Sequence, residues 1–233
     1  MAQPVKTTRR YDSRRRREQA ATTRRAILDA AHHLFEDQGY AATTMEAVAA
    51  DAGVALKTVY LAFTTKSGLL RAVWDLLLKG DEDNAPVAER PWYQAVLHEK
   101  DPDRQVRLVA ANSRAVKVRI GRLLGAIRDA APTDPEIGAL WSLIQSDFYE
   151  NQRAIVEALD QNKALRPGLD VTRATDILWT LNHPDVWLLL AGHRGWSPDE
   201  FEQWFAGTVR AQLLRAPTRG RRARRGGAGP TLV

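Results

Sequence analysis

The stretch that most constrains the fold of this chain is 43–66, which reads TTMEAVAADAGVALKTVYLAFTTK. Thr43 can cap the amino terminus of a helix, while Glu46, three residues later, completes a capping box. Gly53 can adopt the left-handed conformation that ends a helix in a sharp turn. A second short helix is predicted over about 55–63. Two short helices joined by a tight turn at this spacing are typical of a helix-turn-helix.

Helices predicted on both sides make this motif, 45–64, part of a larger unit. Before it, apolar residues recur at helical spacing over 23–39. After it, Thr65 can cap a fourth helix that ends near residue 80. We therefore predict a compact helical unit over 22–82, and the acidic, proline-containing stretch 81–91 is predicted to be a loop or linker.

The rest of the chain has helical periodicity throughout, without an alternating strand pattern of useful length. The predicted helices are 103–129, either as one long helix or as two in sequence, 136–164, 171–181, 184 to about 192, and a last helix ending near 214. Ser197, Pro198 and Glu200 give that last helix a complete start signal, since Ser197 caps it and Glu200 completes a capping box. The predicted fold class is all-α, with a second helical domain over 92–215.

Positive charge is concentrated at the two ends of the chain. Residues 1–25 hold nine Lys and Arg against two acids, and residues 215–233 hold six Arg and no acid; the net charge of the whole chain is only +6, so the middle is acidic. Both ends lack apolar periodicity, and we predict a disordered basic arm at 1–21 and a disordered basic tail at 216–233. The four arginines at 14–17 directly precede the motif, which favours contact with phosphate, whereas a merely solvated tail is favoured at 216–233.

Composition and motifs also exclude several classes of function. The chain has no cysteine, which removes thiol nucleophiles and cysteine-based zinc sites and fits a reducing compartment. The motifs of metalloproteases, P-loop enzymes, dinucleotide-binding folds and serine hydrolases do not occur, so we expect no enzyme, cofactor or metal site. Residues 1–25 lack the apolar run of a secretory leader, and no apolar run approaches the ~20 residues that cross a bilayer, so we expect a cytoplasmic protein.

Four consecutive motifs, TRRAILDAAHHLFEDQGY, TTMEAVAADAGV, KTVYLAF and TTKSGLL, resemble those of the tetracycline-repressor (TetR) family of bacterial transcription regulators. The resemblance implies a homodimer with an amino-terminal three-helix DNA-binding module that contains the helix-turn-helix. It also implies a helical ligand-binding and dimerisation domain, which usually dimerises through its last two helices. The implied function is a repressor that a small-molecule effector releases from a palindromic operator. The alternatives are a constitutive repressor without an effector and a transcriptional activator.

The resemblance places the recognition helix at 55–62. Lys57 and Thr58 would then face the major groove, Tyr60 and Lys66 would meet phosphate, and Thr43 or Thr44 would offer a hydroxyl to the DNA backbone. The predicted DNA-binding residues are Thr43, Thr44, Ala55, Lys57, Thr58, Tyr60, Leu61 and Lys66. Three departures from the family pattern occur at four positions: Ala55 stands where a capping serine is usual, Leu61 and Ala62 where polar or aromatic residues often touch the DNA backbone, and Ser67 where an acidic residue is usual.

Candidate residues in the second domain come from aromatic faces that carry polar groups. The predicted ligand-binding residues are Arg119, Arg122, Trp141, Gln145, Phe148, Tyr149, Asn182 and His183. The predicted dimer-interface residues are Trp179, Leu188, Phe201, Trp204, Phe205 and Val209. For the tryptophans a place in the core is the alternative, for the two arginines a solvated surface, and for His183 a structural hydrogen bond.

Overall fold

The computed structural model describes residues 8–79 and 86–216, and these ranges are helical with no strand, as predicted. The helices are α1 Thr8–Ala42, α2 Met45–Asp51, α3 Leu56–Phe63, α4 Lys66–Lys79, α5 Pro91–His98, α6 Pro102–Ala130, α7 Pro135–Gln161, α8 Val171–Leu181, α9 Pro184–Trp187 and α10 Pro198–Leu213. A 3-10 turn at Val87–Glu89 precedes α5, and a π-helical segment at Leu188–His193 continues α9. Residues 1–7, residues 80–85, which include the first five residues of the predicted linker, and the predicted tail from 217 onward lie outside the described residues.

The first helix begins much earlier than predicted. Residues 8–21, predicted to be a disordered arm, are helical and continuous with the rest of α1, so the prediction is wrong for them. Ala, Arg, Gln and Glu are strong helix formers, and Arg14 and Glu18 form an i,i+4 ion pair at 2.9 Å on this extension. At the other end Gly39 breaks the helical path with φ 78°, at the residue where the helix was predicted to stop.

The helix-turn-helix has the predicted turn. Gly53 has φ 64°, and the Val54 N–H donates to the carbonyl of Ala49 at 3.0 Å, which closes the end of α2. Val48 and Val59, one from each helix, are fully buried in the same apolar core as Phe35 of α1. The two short helices are therefore fixed by packing in this shared core, because helices of this length are marginal alone.

The cap of α2 is one residue later than predicted. The Thr44 side chain, rather than that of Thr43, accepts from the Ala47 N–H at 3.1 Å. Thr43 is completely buried, and its hydroxyl lies 2.8 Å from the carbonyl of Gly39 and 3.1 Å from that of Leu34. It therefore satisfies carbonyls at the end of α1 and is unavailable to cap α2.

Most of the other helix boundaries follow their predicted local signals. Asp170 caps α8 by accepting from the Arg173 N–H, and Ser197 and Glu200 form the complete capping box of α10. Residues 102–130 form a single helix, which settles the alternative left open above.

Two apolar cores are arranged along the length of α6. The first joins α1–α4 to the second half of α6 and the start of α7, through fully buried residues such as Leu69, Leu123 and Ile137. The second joins α5, the first half of α6, the end of α7, α8 and α10. The amino-terminal module, α1–α4, thus shares its core with the carboxy-terminal domain, α5–α10. Within the described ranges no helix is long and apolar enough to cross a membrane.

Candidate DNA-binding face and interior cavity

The two sides of α3 have opposite environments. Val59 and Phe63 are buried in the first core, whereas Lys57, Tyr60 and Leu61 are on the accessible side. Leu61 is 78% exposed, which is unusual for a leucine in a helix packed on a core. Thr58 lies at the edge of the same side. The predicted recognition residues thus share one accessible face.

The amino terminus of α3 has no side-chain cap. Ala55 occupies the cap position with an extended backbone and makes no side-chain hydrogen bond. This agrees with the departure noted in the sequence, and the absent cap costs about 1 kcal/mol of helix stability. The first N–H groups of α3 remain available to an anion.

Of the two threonines predicted to meet the DNA backbone, only Thr44 is accessible. Thr43 is buried and its hydroxyl bonds to α1, so the prediction that it could offer that hydroxyl to phosphate is wrong. Thr44 is exposed, and its oxygen accepts from Ala47, which leaves its O–H able to donate outward.

Lys66 is held at the corner between α1 and α2. Its ammonium donates to the carbonyls of Tyr40 at 2.9 Å and Thr43 at 3.0 Å, and it lies 4.2 Å from the centre of the Tyr40 ring. Two of its three N–H donors are therefore used inside the module. The predicted phosphate contact of Lys66 would have to use the third.

The helical extension of α1 runs beside the recognition helix. Arg16 and Gln19 of α1 face Thr58 and Leu61 of α3 across a shallow groove. Arg24 closes one part of this groove, because its guanidinium donates to the carbonyl of Ala62 at 3.1 Å and lies 4.2 Å from the centre of the Phe63 ring. Sequence reasoning missed Arg24; the unpaired carbonyls that every helix leaves at its carboxyl end were the available signal.

A cavity of about 460 Å³ lies in the carboxy-terminal domain and is bounded on one side by α4. Its wall is mainly apolar and includes the rings of Trp74, Trp92 and Trp187. Three of the predicted ligand-binding residues, Gln145, Phe148 and Asn182, line it. The other five, Arg119, Arg122, Trp141, Tyr149 and His183, do not.

The two arginines join the domains instead. Arg119 donates to the carbonyls of Leu77 and Leu78, each at 3.3 Å, near the carboxyl end of α4. Arg122 donates to Asp37 Oδ1 at 3.0 Å at the end of α1. A positive charge at the carboxyl end of a helix is stabilising, so both residues attach α6 to the amino-terminal module.

The remaining three of the five have structural partners. Trp141 packs against the first core, and the Tyr149 hydroxyl donates to Asp176 Oδ1 at 3.2 Å. His183 caps α9, since its Nδ1 accepts from the Asp185 N–H at 3.3 Å. Its Nε2 lies 3.2 Å from Gln145 Oε1, directly behind the cavity wall. Burial lowers the pKa of His183, and the nearby Lys117 lowers it further, so the ring is neutral at neutral pH.

Lys117 is a charged residue of the cavity wall that the sequence did not reveal as a site residue. Its ammonium is buried and donates to Ser113 Oγ at 2.7 Å and to Asn182 Oδ1; the Asn182 amide in turn donates to Gln152 Oε1 at 3.0 Å. Burial lowers the pKa of Lys117 to about 7. Its spacing from Ser113 and Ile120 places it on the apolar stripe of α6, and that position was the signal of its burial.

A second set of contacts joins the module to the turn between α6 and α7. The Tyr40 hydroxyl donates to Asp134 Oδ2 at 2.7 Å, and Ser67 bonds to Glu136. The bond from Tyr40 lowers the pKa of Asp134, and burial together with that carboxylate raises the pKa of Tyr40. Ser67, one of the departures from the family pattern, thus has a partner 69 residues away.

Three of the predicted dimer-interface residues lie in the interior of the chain. Phe201, Phe205 and Val209 are at most 1% exposed and form part of the second core, so the prediction that they face a partner subunit is wrong. An amphipathic helix pattern predicts which face is buried but not what buries it. Trp179, Leu188 and Trp204 are half-buried.

Comparisons with known proteins agree with the motifs and the fold. Residues 27–73 match the family model described as "Bacterial regulatory proteins, tetR family". No curated protein matches the chain in sequence.

Solved structures share the fold over most of the chain at low sequence identity. SmeT of Stenotrophomonas maltophilia, in a complex with triclosan, has a TM-score of 0.64 and 19% identity, covering 82% of this chain and 91% of its own. NalD of Pseudomonas aeruginosa has a TM-score of 0.62 and 21% identity, covering 82% and 96%. A transcriptional regulator from Saccharomonospora viridis in complex with choline has a TM-score of 0.66 and 16% identity, covering 82% and 97%.

The family model covers the helix-turn-helix and the helices around it, and the solved structures share the fold of the module together with the helical domain. The resemblance inferred from the four motifs is therefore confirmed. Residues 27–73 therefore match the TetR family of bacterial regulatory proteins, and the described residues share the fold of solved TetR-family regulators.

Proposed function

We propose that this protein is a cytoplasmic repressor that binds a roughly palindromic operator as a homodimer and is released when a small molecule occupies the cavity. The observation that carries the proposal is the position of α4. Leu69, Leu70 and Val73 of α4 are fully buried in the core of the amino-terminal module, whereas Trp74 and Leu78 line the cavity. One rigid helix thus contacts both the DNA-binding module and the volume that a ligand would fill.

A movement of the carboxy-terminal domain would be transmitted to α4, because both ends of α4 are bonded to helices of that domain. Arg119 binds carbonyls near its carboxyl end, and Ser67 in its first turn bonds to Glu136 of α7. A ligand changes DNA affinity only if it binds the DNA-binding conformation and the released conformation with different affinities. The cavity borders α4 directly, so such a difference has a physical basis.

The proposed DNA contacts divide into those that read bases and those that fix position. Lys57 and Thr58 would lie in the major groove, where a lysine can meet guanine acceptors and Leu61 a thymine methyl. Thr44, Tyr60 and the arginines at 14–17 would contact phosphates, which adds affinity without sequence preference. The helical form of the α1 extension supports this role, because it holds those arginines on the module that carries α3.

The proposed homodimer would place two copies of α3 on half-sites ~34–36 Å apart, one turn of the DNA helix. Trp179, Leu188 and Trp204 stay as candidates for the subunit interface. They are only half-buried in a single chain, which leaves apolar surface for a partner.

The printed descriptions of the structural neighbours support repression and a small-molecule effector. NalD is called the secondary repressor of a multidrug efflux pump, and SmeT is called the repressor of another pump and was solved with triclosan. At these identities the fold is shared, while the operator and the effector are properties of each protein.

The test is to measure DNA binding and ligand binding on the same preparation. Fluorescence anisotropy with DNA that flanks the coding region would identify the operator, and quenching of tryptophan fluorescence would identify compounds that bind. We expect at least one compound that binds the protein to lower its DNA affinity.

Val116→Phe, in the apolar part of α6 beside the cavity, provides the decisive variant. It should reduce both ligand binding and release while keeping DNA affinity. Val118→Phe is the matched control, since Val118 is 57% exposed on the same helix and does not line the cavity. Compounds that bind but never release DNA would favour a constitutive repressor, and loss of transcription on deletion of the gene would favour an activator.

A further inference from the structure

We propose that the cavity binds an organic acid: a largely apolar molecule whose single carboxylate or phenolate group pairs with Lys117. This inference rests on the proposed function, because it specifies the chemical class of the proposed effector.

Lys117 is a buried cation without a counter-ion among the described residues. The partners of its ammonium, Ser113 Oγ and Asn182 Oδ1, are neutral oxygens, and no described carboxylate forms an ion pair with it. The ring of Phe201, with its centre 5.5 Å from Nζ, adds a weak cation–π contact and no negative charge. A buried charge without a partner is costly, and an anion that enters the cavity would remove that cost.

The polar groups around Lys117 leave hydrogen-bonding capacity for a ligand. The ammonium has three N–H donors, and the two hydrogen bonds above use two of them. Gln145 also lines the cavity, and its Nε2 is buried with no hydrogen-bond partner among the described residues. One ligand acid group offers several acceptor lone pairs and could satisfy both donors.

Apart from Lys117 and Gln145, the cavity wall is mainly apolar, which favours a ligand whose body is apolar. Trp74, Trp92, Ile120, Leu140 and Trp187 present aromatic and aliphatic surface, and the volume of about 460 Å³ lies within the range of small-molecule sites. An alkyl or aromatic body would bury this surface, whereas inorganic phosphate or sulfate would leave it uncovered.

The carboxylates that border the cavity lie toward solvent. Glu150 is exposed, and Asp75 forms an ion pair with Arg71 at 3.9 Å with both side chains about half exposed. Asp147 is likewise on the outer side of α7. Hydrated carboxylates interact weakly across water, so the positive charge of Lys117 dominates the buried part of the cavity.

The affinity for an acid should depend on pH through Lys117. The groups that face Lys117 from the helices packed around it are His183 before α9, Gln152 of α7 and Phe201 of α10. His183 has a lowered pKa and is already neutral above pH 7, and the carboxylate of Asp185 lies 3.5 Å from its Nδ1. Because the pKa of Lys117 is about 7 in the empty cavity, acid affinity should fall as pH rises above 7.

The experiment compares acids with their neutral amides on the intact protein. Phenylbutyrate, naphthoate and decanoate, the three corresponding amides and decyltrimethylammonium would be titrated by calorimetry at pH 6.5, 7.5 and 8.5. We expect at least one acid to bind about tenfold more tightly than its amide, the size of one charge-assisted hydrogen bond. The quaternary ammonium should not bind, and the acid affinity alone should decrease with pH.

Lys117→Met should make each acid and its amide bind equally, because Met keeps the volume and removes the charge. Lys100→Met, at an exposed position before α6, is the matched control and should keep the acid preference. Equal affinities of acids and amides for the wild-type protein, or an acid preference that survives Lys117→Met, would overturn the inference. If the variant does not fold, a pH-independent acid affinity in the wild type would overturn it instead.

DNA release is scored separately and distinguishes the two proposals. Acids that bind through Lys117 without releasing DNA would support the acid site and contradict the effector role. Release by neutral amides alone would support the effector role and overturn the acid site.

Discussion

Replacing Lys117 by Met should increase the stability of the protein, and the increase should depend on pH. Burial lowers the pKa of Lys117 from 10.5 to about 7. Each pKa unit corresponds to about 1.4 kcal/mol, so below pH 7 the buried ammonium costs the folded state about 5 kcal/mol. Met removes this cost, but it also removes the hydrogen bonds to Ser113 and Asn182, which together stabilise the fold by about 1–3 kcal/mol.

The pH dependence follows from the protons bound in each state. Between pH 7 and 10.5 the unfolded chain keeps the lysine proton while the folded chain has released it, so the free energy of unfolding of the wild type rises with pH. At pH 9 about 2 kcal/mol of the cost remains. The hydrogen bonds that Met removes do not titrate, so the stability advantage of Lys117→Met should shrink by about 3 kcal/mol between pH 6 and 9.

Urea unfolding followed by circular dichroism at pH 6, 7, 8 and 9 would measure this difference at fixed protein concentration. Lys100→Met is the control, since an exposed lysine should give a small difference that is the same at each pH. A stability difference for Lys117→Met that is constant across the pH range would refute the reasoning, because it would mean that Lys117 keeps its ordinary pKa when folded.

Four further predictions concern the amino-terminal module. Thr43→Val should destabilise the protein by about 1–3 kcal/mol in urea unfolding, because the carbonyl of Gly39 loses its buried donor. Ala55→Ser should stabilise it by about 1 kcal/mol, because α3 gains the cap that it lacks; the melting temperature would measure this. Lys57→Ala should reduce the preference for operator over unrelated DNA by about 1–3 kcal/mol, measured by competition binding. Deletion of residues 1–17 should weaken binding to all DNA and reduce the salt slope by about 0.9 for each phosphate that the protein no longer neutralises, measured by titrations at several salt concentrations.

Each of these four has a clear contrary result. Thr44→Val is the control for Thr43→Val, and equal destabilisation by the two would mean that Thr43 contributes no more than a helix cap. No increase in stability from Ala55→Ser would mean that the N–H groups at the amino terminus of α3 already have hydrogen-bond partners. A uniform decrease in affinity for Lys57→Ala would assign it to phosphate, and an unchanged salt slope after the deletion would exclude the α1 extension from DNA binding.

The helix boundaries were largely predictable because their signals are local. Gly53 at the turn, Asp170 at the start of α8 and Ser197 with Glu200 at the start of α10 each act on backbone groups within a few residues. Where two residues could give the same local signal, the sequence was insufficient. Thr43 and Thr44 can both cap a helix, and Thr44 is the cap because the Thr43 hydroxyl bonds to α1.

The candidate sites were less predictable because they depend on distant residues. The periodicity of α10 marked Phe201, Phe205 and Val209 as an apolar face, and only the packing of α10 against α6 and α8 shows that this face lies inside the chain. The arginines of α6 were expected at a ligand, but Arg119 meets carbonyls 41 and 42 residues away on α4.

The sequence alone determined the all-α class and the helix-turn-helix with its turn at Gly53, which follow from periodicity and from hydrogen bonds between near neighbours in the chain. The shared face of Lys57, Tyr60 and Leu61 was implied by the family resemblance, and these residues are accessible because Val59 and Phe63 on the other side of α3 are buried. The tertiary structure decided that α4 packs in the core of the amino-terminal module and also lines the cavity, and that Lys117 lies buried beside Asn182. Which side chains are buried and which hydrogen bonds they form depends on which helix faces pack together, and that packing involves residues far apart in the sequence.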